Sequence, residues 1–129
     1  MTRKPIRVLC LHGIRTSGAI LEQVMKAFVG RFEDAWEFVY LDAPNPGSAP
    51  AFENVQRAFP SLVEKGVYEW FSYEEIDGKV NYTMIEKSLE YVENIIKNDE
   101  IGFDVLLGYS QVSCSPNYLS VERNNLINY

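Results

Sequence analysis

Histidine, cysteine and long apolar runs are scarce in this sequence, and each scarcity removes a class of protein. The 129 residues contain 1 histidine, His12, and 2 cysteines, Cys10 and Cys114. Two cysteines with no secretory segment before them do not indicate a disulfide framework, and Cys10, inside an apolar run, is expected to be a small buried residue. No apolar stretch approaches the roughly 18 residues needed to span a bilayer. We therefore expect neither a disulfide-stapled secreted domain nor a membrane protein.

Basic charge is also scarce. The 12 Lys and Arg are outnumbered by 18 Asp and Glu, which leaves a net charge of −6. Binding to nucleic acid depends on clustered basic side chains that neutralise phosphates, and the basic cluster present, Arg3, Lys4 and Arg7, is interpreted as a solvated strand entrance rather than a binding patch. The N-terminal residues lack the apolar segment of a signal peptide. We expect no nucleic-acid partner, no membrane partner and a cytoplasmic location, with the nucleus as the alternative.

Short apolar runs alternate with amphipathic segments along the chain. The predicted strands are residues 6–11, 36–41 and 103–107, and the predicted helices begin after Ser17 and at Thr83. Nearly continuous apolar runs are typical of strands buried on both faces, as in a parallel sheet. Strands that alternate with helices indicate right-handed crossovers. The sequence therefore predicts an α/β fold in which a short parallel sheet is flanked by helices.

Apolar spacing of three and four residues predicts the buried face of each helix. In the first helix, with Ser17 as its N-cap, this face is formed by Leu21, Val24, Met25, Phe28 and Phe32. In the second helix it is formed by Ile85, Leu89, Val92 and Ile96. Residues 42–81 between the second strand and the second helix are expected to be mostly irregular, because prolines 44 and 46 lack the N–H that a strand ladder needs. Asp77-Gly78 predicts a turn.

The segment Gly108-Tyr109-Ser110-Gln111 directly follows a predicted buried strand. A Gly-x-Ser-x-Gly turn in that setting is a nucleophile elbow, which exposes the serine Oγ and directs the next backbone N–H toward the developing oxyanion. Position 112 is Val, where the motif has Gly. An ordinary turn with a serine at the end of a strand therefore remains the alternative interpretation.

The pair His12-Gly13 ends the first predicted strand. Such a pair at this place often marks the loop that supplies the second oxyanion N–H. Where a nucleophile elbow is catalytic, the base follows the nucleophile in the chain. We therefore expect the His12 ring to fix the loop by hydrogen bonds and to take no part in proton transfer.

These segments together resemble the FSH-type family of serine hydrolases, small α/β-hydrolases related to esterases and dienelactone hydrolase-like proteins. The matching segments, within residues 6–111, are Val8-Leu9-Cys10-Leu11-His12-Gly13, Ser17-Gly18, Leu41-Asp42-Ala43-Pro44, Tyr68-Glu69-Trp70-Phe71 and Leu107-Gly108-Tyr109-Ser110-Gln111. The order and spacing of five segments are far more specific than any one of them. The resemblance implies a partial α/β-hydrolase, a three-layer sandwich fragment with about three parallel strands.

The resemblance also implies the roles of individual residues. Ser110 is the nucleophile position, the backbone N–H groups of Ile14 and Gln111 are the oxyanion donors, and the chemistry is carboxylic ester hydrolysis through an acyl-enzyme. The implied substrate is an apolar acyl ester, and no cofactor or metal is expected. The residues expected to border the acyl pocket are Asp42, Ala43, Pro44, Trp70 and Phe71.

The sequence departs from the family after Gln111. The family continues into a helix and later supplies a triad acid and histidine, whereas no histidine follows His12 here, and Asp104 precedes the nucleophile. We expect a hydrolase domain over residues 1–111 and an atypical polar tail over 112–129. A splice donor read in frame after codon 111 would encode Val112, so we hypothesise either a truncated isoform or a truncated gene model. Such a chain would be inactive or weakly active, because loss of a triad member costs several orders of magnitude.

Three interpretations of function compete. The chain is either a serine hydrolase of esterase type or a non-catalytic α/β interaction module. A flavodoxin-like binding domain is disfavoured, because the turns offer no Gly-rich phosphate cradle. In the complete fold, later strands lie beside the last predicted strand, residues 103–107. We expect those strands to be absent here, so the outer edge of this strand would carry unpaired backbone groups. An open edge of this kind predicts self-association.

Overall fold

The computed structural model describes residues 4–32 and 35–109. In chain order, the elements within those residues are β1 (Ile6–Leu11), α1 (Gly18–Val29), β2 (Trp36–Leu41), β3 (Asn45–Pro46), α2 (Glu53–Ala58), α3 (Pro60–Glu64), β4 (Tyr68–Glu69), β5 (Ser72–Ile76), β6 (Lys79–Thr83), α4 (Ile85–Asn98) and β7 (Val105–Gly108). No helix in these ranges has the length and apolar character needed to cross a membrane.

A three-stranded parallel sheet forms the centre of the fold, in the order β2-β1-β7. This arrangement confirms the predicted α/β class with a short parallel sheet. The bounds of β1 and β2 match the prediction, whereas β7 begins at Val105 and not at Phe103. The Phe103 ring instead lies against the guanidinium of Arg7, whose carbon is 4.5 Å from the ring centroid.

The central strand β1 divides the core into two layers, because successive side chains of a strand point to opposite faces. Leu9 and Leu11 pack with Val92 of α4 on one face. Val8 and Cys10 pack with Leu21 of α1 on the other. Helices on both faces of the sheet make the three-layer arrangement that the sequence predicted for a partial α/β-hydrolase.

Helix α1 begins as predicted but buries less of its apolar face. The Oγ of Ser17 accepts the N–H of Ile20 at 3.2 Å, which confirms the N-cap. Leu21 is 4% exposed, whereas Val24 and Phe28 are 52% and 51% exposed. The prediction is therefore wrong for Val24 and Phe28, whereas Met25 is half-buried and packs against the core. Helical periodicity identifies a face but not how much neighbouring chain covers it.

The prediction of an irregular stretch over residues 42–81 is wrong. Strands β3 and β4 pair antiparallel, and β5 and β6 form a hairpin. The predicted turn is confirmed at its tip, where Asp77 and Gly78 have φ of 51° and 75°, as the favoured two-residue hairpin turns require. Local patterns missed these strands because two of them pair only with partners distant in sequence.

The second helix begins at Ile85, two residues after the predicted start at Thr83. Thr83 is the last residue of β6 and pairs with Ser72, and Met84 turns the chain with a left-handed φ of 68°. Thr83, which was predicted to open the helix, therefore belongs to the hairpin ladder instead. Val92 is buried, as expected for the inner face of α4.

The interpretation of Arg7 as part of a solvated entrance is wrong. Its side chain is 10% exposed and pairs with Glu37 at 3.0 Å and with Asp99 at 2.5 Å. The hydrogen bond from Arg7 holds the pKa of Asp99 below its usual value. This ion network fastens β1 to β2 and to the end of α4 at the amino edge of the sheet.

Candidate active site

The carboxyl ends of β1 and β7 lie side by side. Leu11 pairs with Gly108 in the parallel ladder, and the N–H of Tyr109 donates to the carbonyl of Leu11 at 3.1 Å. The turn after β1, which begins at His12, therefore lies beside the chain that leads into Ser110. Ser110 and Gln111 themselves, like the tail over residues 112–129, lie outside the described residues.

The ring of His12 is fully buried, and both of its nitrogens are bonded. The N–H of Ala43 donates to Nε2 at 2.9 Å. Since Nε2 must offer its lone pair, the neutral ring carries its proton on Nδ1, which lies 2.7 Å from the carbonyl oxygen of Gly13. Burial lowers the pKa of His12, against the opposing effects of the Gly13 carbonyl and Asp42. These contacts confirm that the ring fixes the loop.

The Gly13 carbonyl is also contacted by a hydroxyl. Thr16 Oγ1 donates to it at 3.2 Å and lies 3.2 Å from His12 Nδ1. The next residue, Ile14, is half-buried, and its backbone N–H has no acceptor among residues 4–32 and 35–109. Among the described residues, the predicted oxyanion donor thus has no acceptor for its N–H, in a loop that is held by other hydrogen bonds.

Trp70 joins this loop to helix α4 and strand β3 by hydrogen bonds. Its indole N–H donates to the carbonyl of His12 at 2.8 Å, and the two ring centroids are 5.3 Å apart. The Trp70 carbonyl accepts hydrogen bonds from the hydroxyl of Ser88 and, at 3.3 Å, from Nδ2 of Asn45. With 4% exposure, Trp70 supports the loop from within the core.

The predicted pocket residues divide by exposure. Ala43 is buried like Trp70, whereas Asp42 is exposed and Pro44 and Phe71 are half-buried. The Phe71 ring also packs edge-on against Tyr82, with centroids 5.7 Å apart. A role for these five residues in binding an acyl chain stays a prediction.

Asp42 additionally organises the carboxyl edge. Its Oδ1 accepts the N–H of Gly18 at 2.8 Å at the start of α1, where the helix dipole favours a negative charge. Its carbonyl accepts the hydroxyl of Tyr91 at 3.0 Å. A Cβ at Gly18 would lie 3.2 Å from the carbonyl carbon of Tyr40, so glycine permits this close approach.

A buried polar cluster near Trp70 was not predicted from the sequence. Asn45 and Glu69 are 2% and 1% exposed. The two carboxylate oxygens of Glu69 each accept from Ser48, one from its N–H and one from its Oγ, both at 3.1 Å. The sequence held one signal for this cluster, the acidic Glu69 between aromatic residues. That signal identifies an unusual position but does not identify Ser48 as its partner.

Other candidate chemistry in the described chain is limited. No group of three or more His, Cys, Asp or Glu residues within residues 4–32 and 35–109 is placed to hold a metal ion. Burial raises the pKa of the Cys10 thiol to about 12, so this cysteine stays protonated and is not a nucleophile. Asp104 lies at the amino edge, where its Oδ2 accepts the N–H of Arg7 at 2.9 Å, far from the site of a triad acid.

Comparison with known proteins points to one family. The sequence model of the family described as "Serine hydrolase (FSH1)" matches residues 1–128. The chain is also similar to the curated protein "Hydrolase FUB4" of Fusarium oxysporum f. sp. lycopersici, with 29% identity over 111 residues. That match covers 82% of this chain and 35% of FUB4, so the chain spans about a third of this relative's length.

Proposed function

The chain belongs to the FSH1 family of serine hydrolases, and on that premise we propose that it represents an esterase-type hydrolase that cleaves carboxylic esters by acyl transfer. In this proposal Ser110 Oγ attacks the ester carbonyl, and the N–H groups of Ile14 and Gln111 stabilise the oxyanion. The alcohol leaves, and water then hydrolyses the acyl-enzyme.

One observation carries the proposal. The hydrogen bond from the Tyr109 N–H to the Leu11 carbonyl, at 3.1 Å, brings the end of β7 against the start of the His12–Ile14 turn. An elbow serine one residue beyond Tyr109 and an oxyanion donor at Ile14 need this adjacency, because both must contact the same substrate carbonyl. The N–H of Ile14, for which residues 4–32 and 35–109 offer no acceptor, supports the same roles.

The proposed substrate is an ester with an apolar acyl group. Pro44 and Phe71 offer half-buried apolar surface on the two segments that border the carboxyl edge. Asp42 adds an exposed carboxylate near this edge, which disfavours an acyl group that itself carries a negative charge. The buried Ala43 and Trp70 would then support the wall of the acyl pocket from within the core.

We propose that this 129-residue chain is a weak catalyst. Serine attack needs a base to accept the Oγ proton, and the single histidine uses Nε2 as an acceptor for Ala43 and Nδ1 as a donor to Gly13. Proton transfer by His12 would break a buried hydrogen bond. Ester turnover would then rest on the oxyanion donors and substrate binding alone.

The proposal is tested by nucleophile labelling together with turnover. We expect a fluorophosphonate to label Ser110 slowly, label to be lost in Ser110→Ala, and turnover of short aryl esters to stay near background. Ser113→Ala, which changes the next serine in the chain, serves as the matched control and should keep the label. A fast ester turnover abolished by Ser110→Ala would contradict the weak-catalyst proposal, and an unlabelled wild-type protein would contradict the role of Ser110.

A second candidate function is a non-catalytic interaction module. The hairpin β5–β6 favours it, because Tyr73, Val80 and Tyr82, which share one face of the ladder, are 63%, 52% and 56% exposed. Exposed apolar surface on one face of this kind often marks a binding site. Unlabelled Ser110 combined with ligand-free self-association that Tyr73→Ser and Tyr82→Ser reduce would favour this alternative.

A further inference from the structure

We propose that Thr16, together with the His12 ring, is a positioning residue that clamps the Gly13 carbonyl and thereby holds the Ile14 N–H toward the substrate. The inference rests on the proposed function, because it assigns a supporting device to the proposed oxyanion donor. Neither Thr16 nor His12 contacts the substrate in this proposal.

The argument begins with the geometry of a peptide group. In a trans peptide the C=O and the N–H point in opposite directions in one plane. The carbonyl of Gly13 and the N–H of Ile14 belong to the same peptide group. Whatever fixes the Gly13 oxygen on one side therefore fixes the Ile14 hydrogen on the other.

Two donors fix the Gly13 oxygen. The Nδ1–H of His12 lies 2.7 Å away, and the Thr16 hydroxyl donates from 3.2 Å. The N–H of Ala43 bonded to Nε2 excludes the other neutral tautomer, so the ring must present a proton, rather than a lone pair, at Nδ1. Both donors occupy the carbonyl at once, because a carbonyl oxygen has two lone pairs.

The peptides on either side are fixed as well. The carbonyl of His12 accepts the indole N–H of Trp70 at 2.8 Å. The carbonyl of Thr16 accepts the N–H of Tyr68 at 2.7 Å. Arg15, between Ile14 and Thr16, has a left-handed φ of 50°, a strained conformation that persists where the surroundings hold it. The N–H of Ile14, which has no acceptor in the described part of the chain, thus lies in a loop that is held on both sides.

The clamp matters because the alternative orientation is repulsive. Rotation of the Gly13–Ile14 peptide by half a turn would point the carbonyl dipole of Gly13 at the place where the oxyanion forms. Such a peptide both removes a donor and places a negative atom beside negative charge. Loss of one clamping donor should therefore slow reaction at Ser110 without touching Ser110.

The test uses the full 129-residue chain and two readouts. Thr16→Val removes the hydroxyl at nearly constant shape, Thr16→Ser keeps it, and Thr16→Ala is a second deletion in case the valine variant folds poorly. The residual dipolar coupling of the Ile14 amide reports the direction of its N–H, with the amides of Leu9 and Leu11 as internal references. The rate of Ser110 labelling by a fluorophosphonate reports the effect on reactivity.

We expect Thr16→Val to change the Ile14 coupling, to leave those of Leu9 and Leu11 unchanged and to slow labelling about tenfold, as loss of one hydrogen bond predicts. Thr16→Ser should restore both values. An unchanged Ile14 coupling in the deletion variants would overturn the clamp. A changed coupling with an unchanged labelling rate would overturn its role in reactivity. Absence of labelling in the wild type would count against the proposed function, and the coupling would still decide whether Thr16 holds the peptide.

Discussion

The backbone N–H of Ala43 donates to Nε2 of His12 across 2.9 Å, and this bond determines the protonation state of the chain's single histidine. It joins the end of β2 to the end of β1, and it requires a neutral ring. Protonation of Nε2 would leave the Ala43 N–H facing another donor inside the core. The stability of the folded protein therefore depends on the protonation state of His12.

The first prediction concerns pH. Burial lowers the pKa of His12 in the folded protein below the ordinary histidine value of 6.5, so the unfolded chain binds the proton more tightly. Its contribution to stability is full above pH 6.5 and is lost as pH falls below that value toward the folded pKa. We expect the free energy of unfolding, measured by urea titration, to fall between about pH 7 and pH 5.

The control for this prediction is His12→Phe. It should lower stability at pH 7 by about 1–3 kcal/mol, because the Ala43 N–H loses its buried partner. It should also remove most of the pH dependence in this window, where no other side chain of ordinary pKa titrates. An equal pH slope in the wild type and in His12→Phe would contradict the assignment.

The second prediction concerns Trp70. Trp70→Phe keeps an aromatic ring but removes the indole N–H, so the carbonyl of His12 loses its 2.8 Å donor. We expect a loss of about 1–3 kcal/mol in the free energy of unfolding. Trp36→Phe is the matched control, since Trp36 lies on β2 outside the site. The prediction fails if the two variants have equal stability at pH 7.

The third prediction concerns a close approach at Gly18. Its added Cβ would lie 3.2 Å from the Tyr40 carbonyl carbon and 3.3 Å from Asp42 Oδ1. Gly18→Ala should therefore separate α1 from the end of β2 and cost about 1–3 kcal/mol. Thermal unfolding followed by circular dichroism measures the loss.

Gly30 provides the matched control, because its Cβ would meet its nearest neighbour, the carbonyl oxygen of Lys26, at an ordinary 3.5 Å. Its φ of −57° suits alanine, so Gly30→Ala should stabilise by about 0.4–1 kcal/mol. Destabilisation by Gly30→Ala to the same extent as Gly18→Ala would show that crowding at Gly18 is not the cause.

The fourth prediction concerns association. Strand β7 is at one end of the described sheet order, and its residue Leu107 is 36% exposed. Exposed edge strands pair with other chains unless a charge opposes it. We expect concentration-dependent self-association in sedimentation velocity and a reduction of it in Leu107→Lys. A protein that stays monomeric at about 100 µM would contradict this proposal, because pairing at an open edge should be populated at micromolar to millimolar concentration.

The sequence by itself determined the class of fold and the family. Short, mostly apolar runs predicted β1 and β2 to the residue, because strands of a parallel sheet are rich in apolar side chains. The order of five short segments also identified the family, and His12 was correctly expected to serve the loop. These features are local, so a single sequence displays them.

Only the tertiary structure decided which groups meet. The pairing of β3 with β4, the bond from Trp70 to His12 and the burial of Arg7 each join residues far apart in the chain. The exposure of Val24 and Phe28 likewise depends on what packs over α1, which periodicity does not report. The hydrogen bond between His12 Nδ1 and the Gly13 carbonyl is the clearest case, because it needs a ring tautomer that the amide of Ala43, in the loop after β2, imposes.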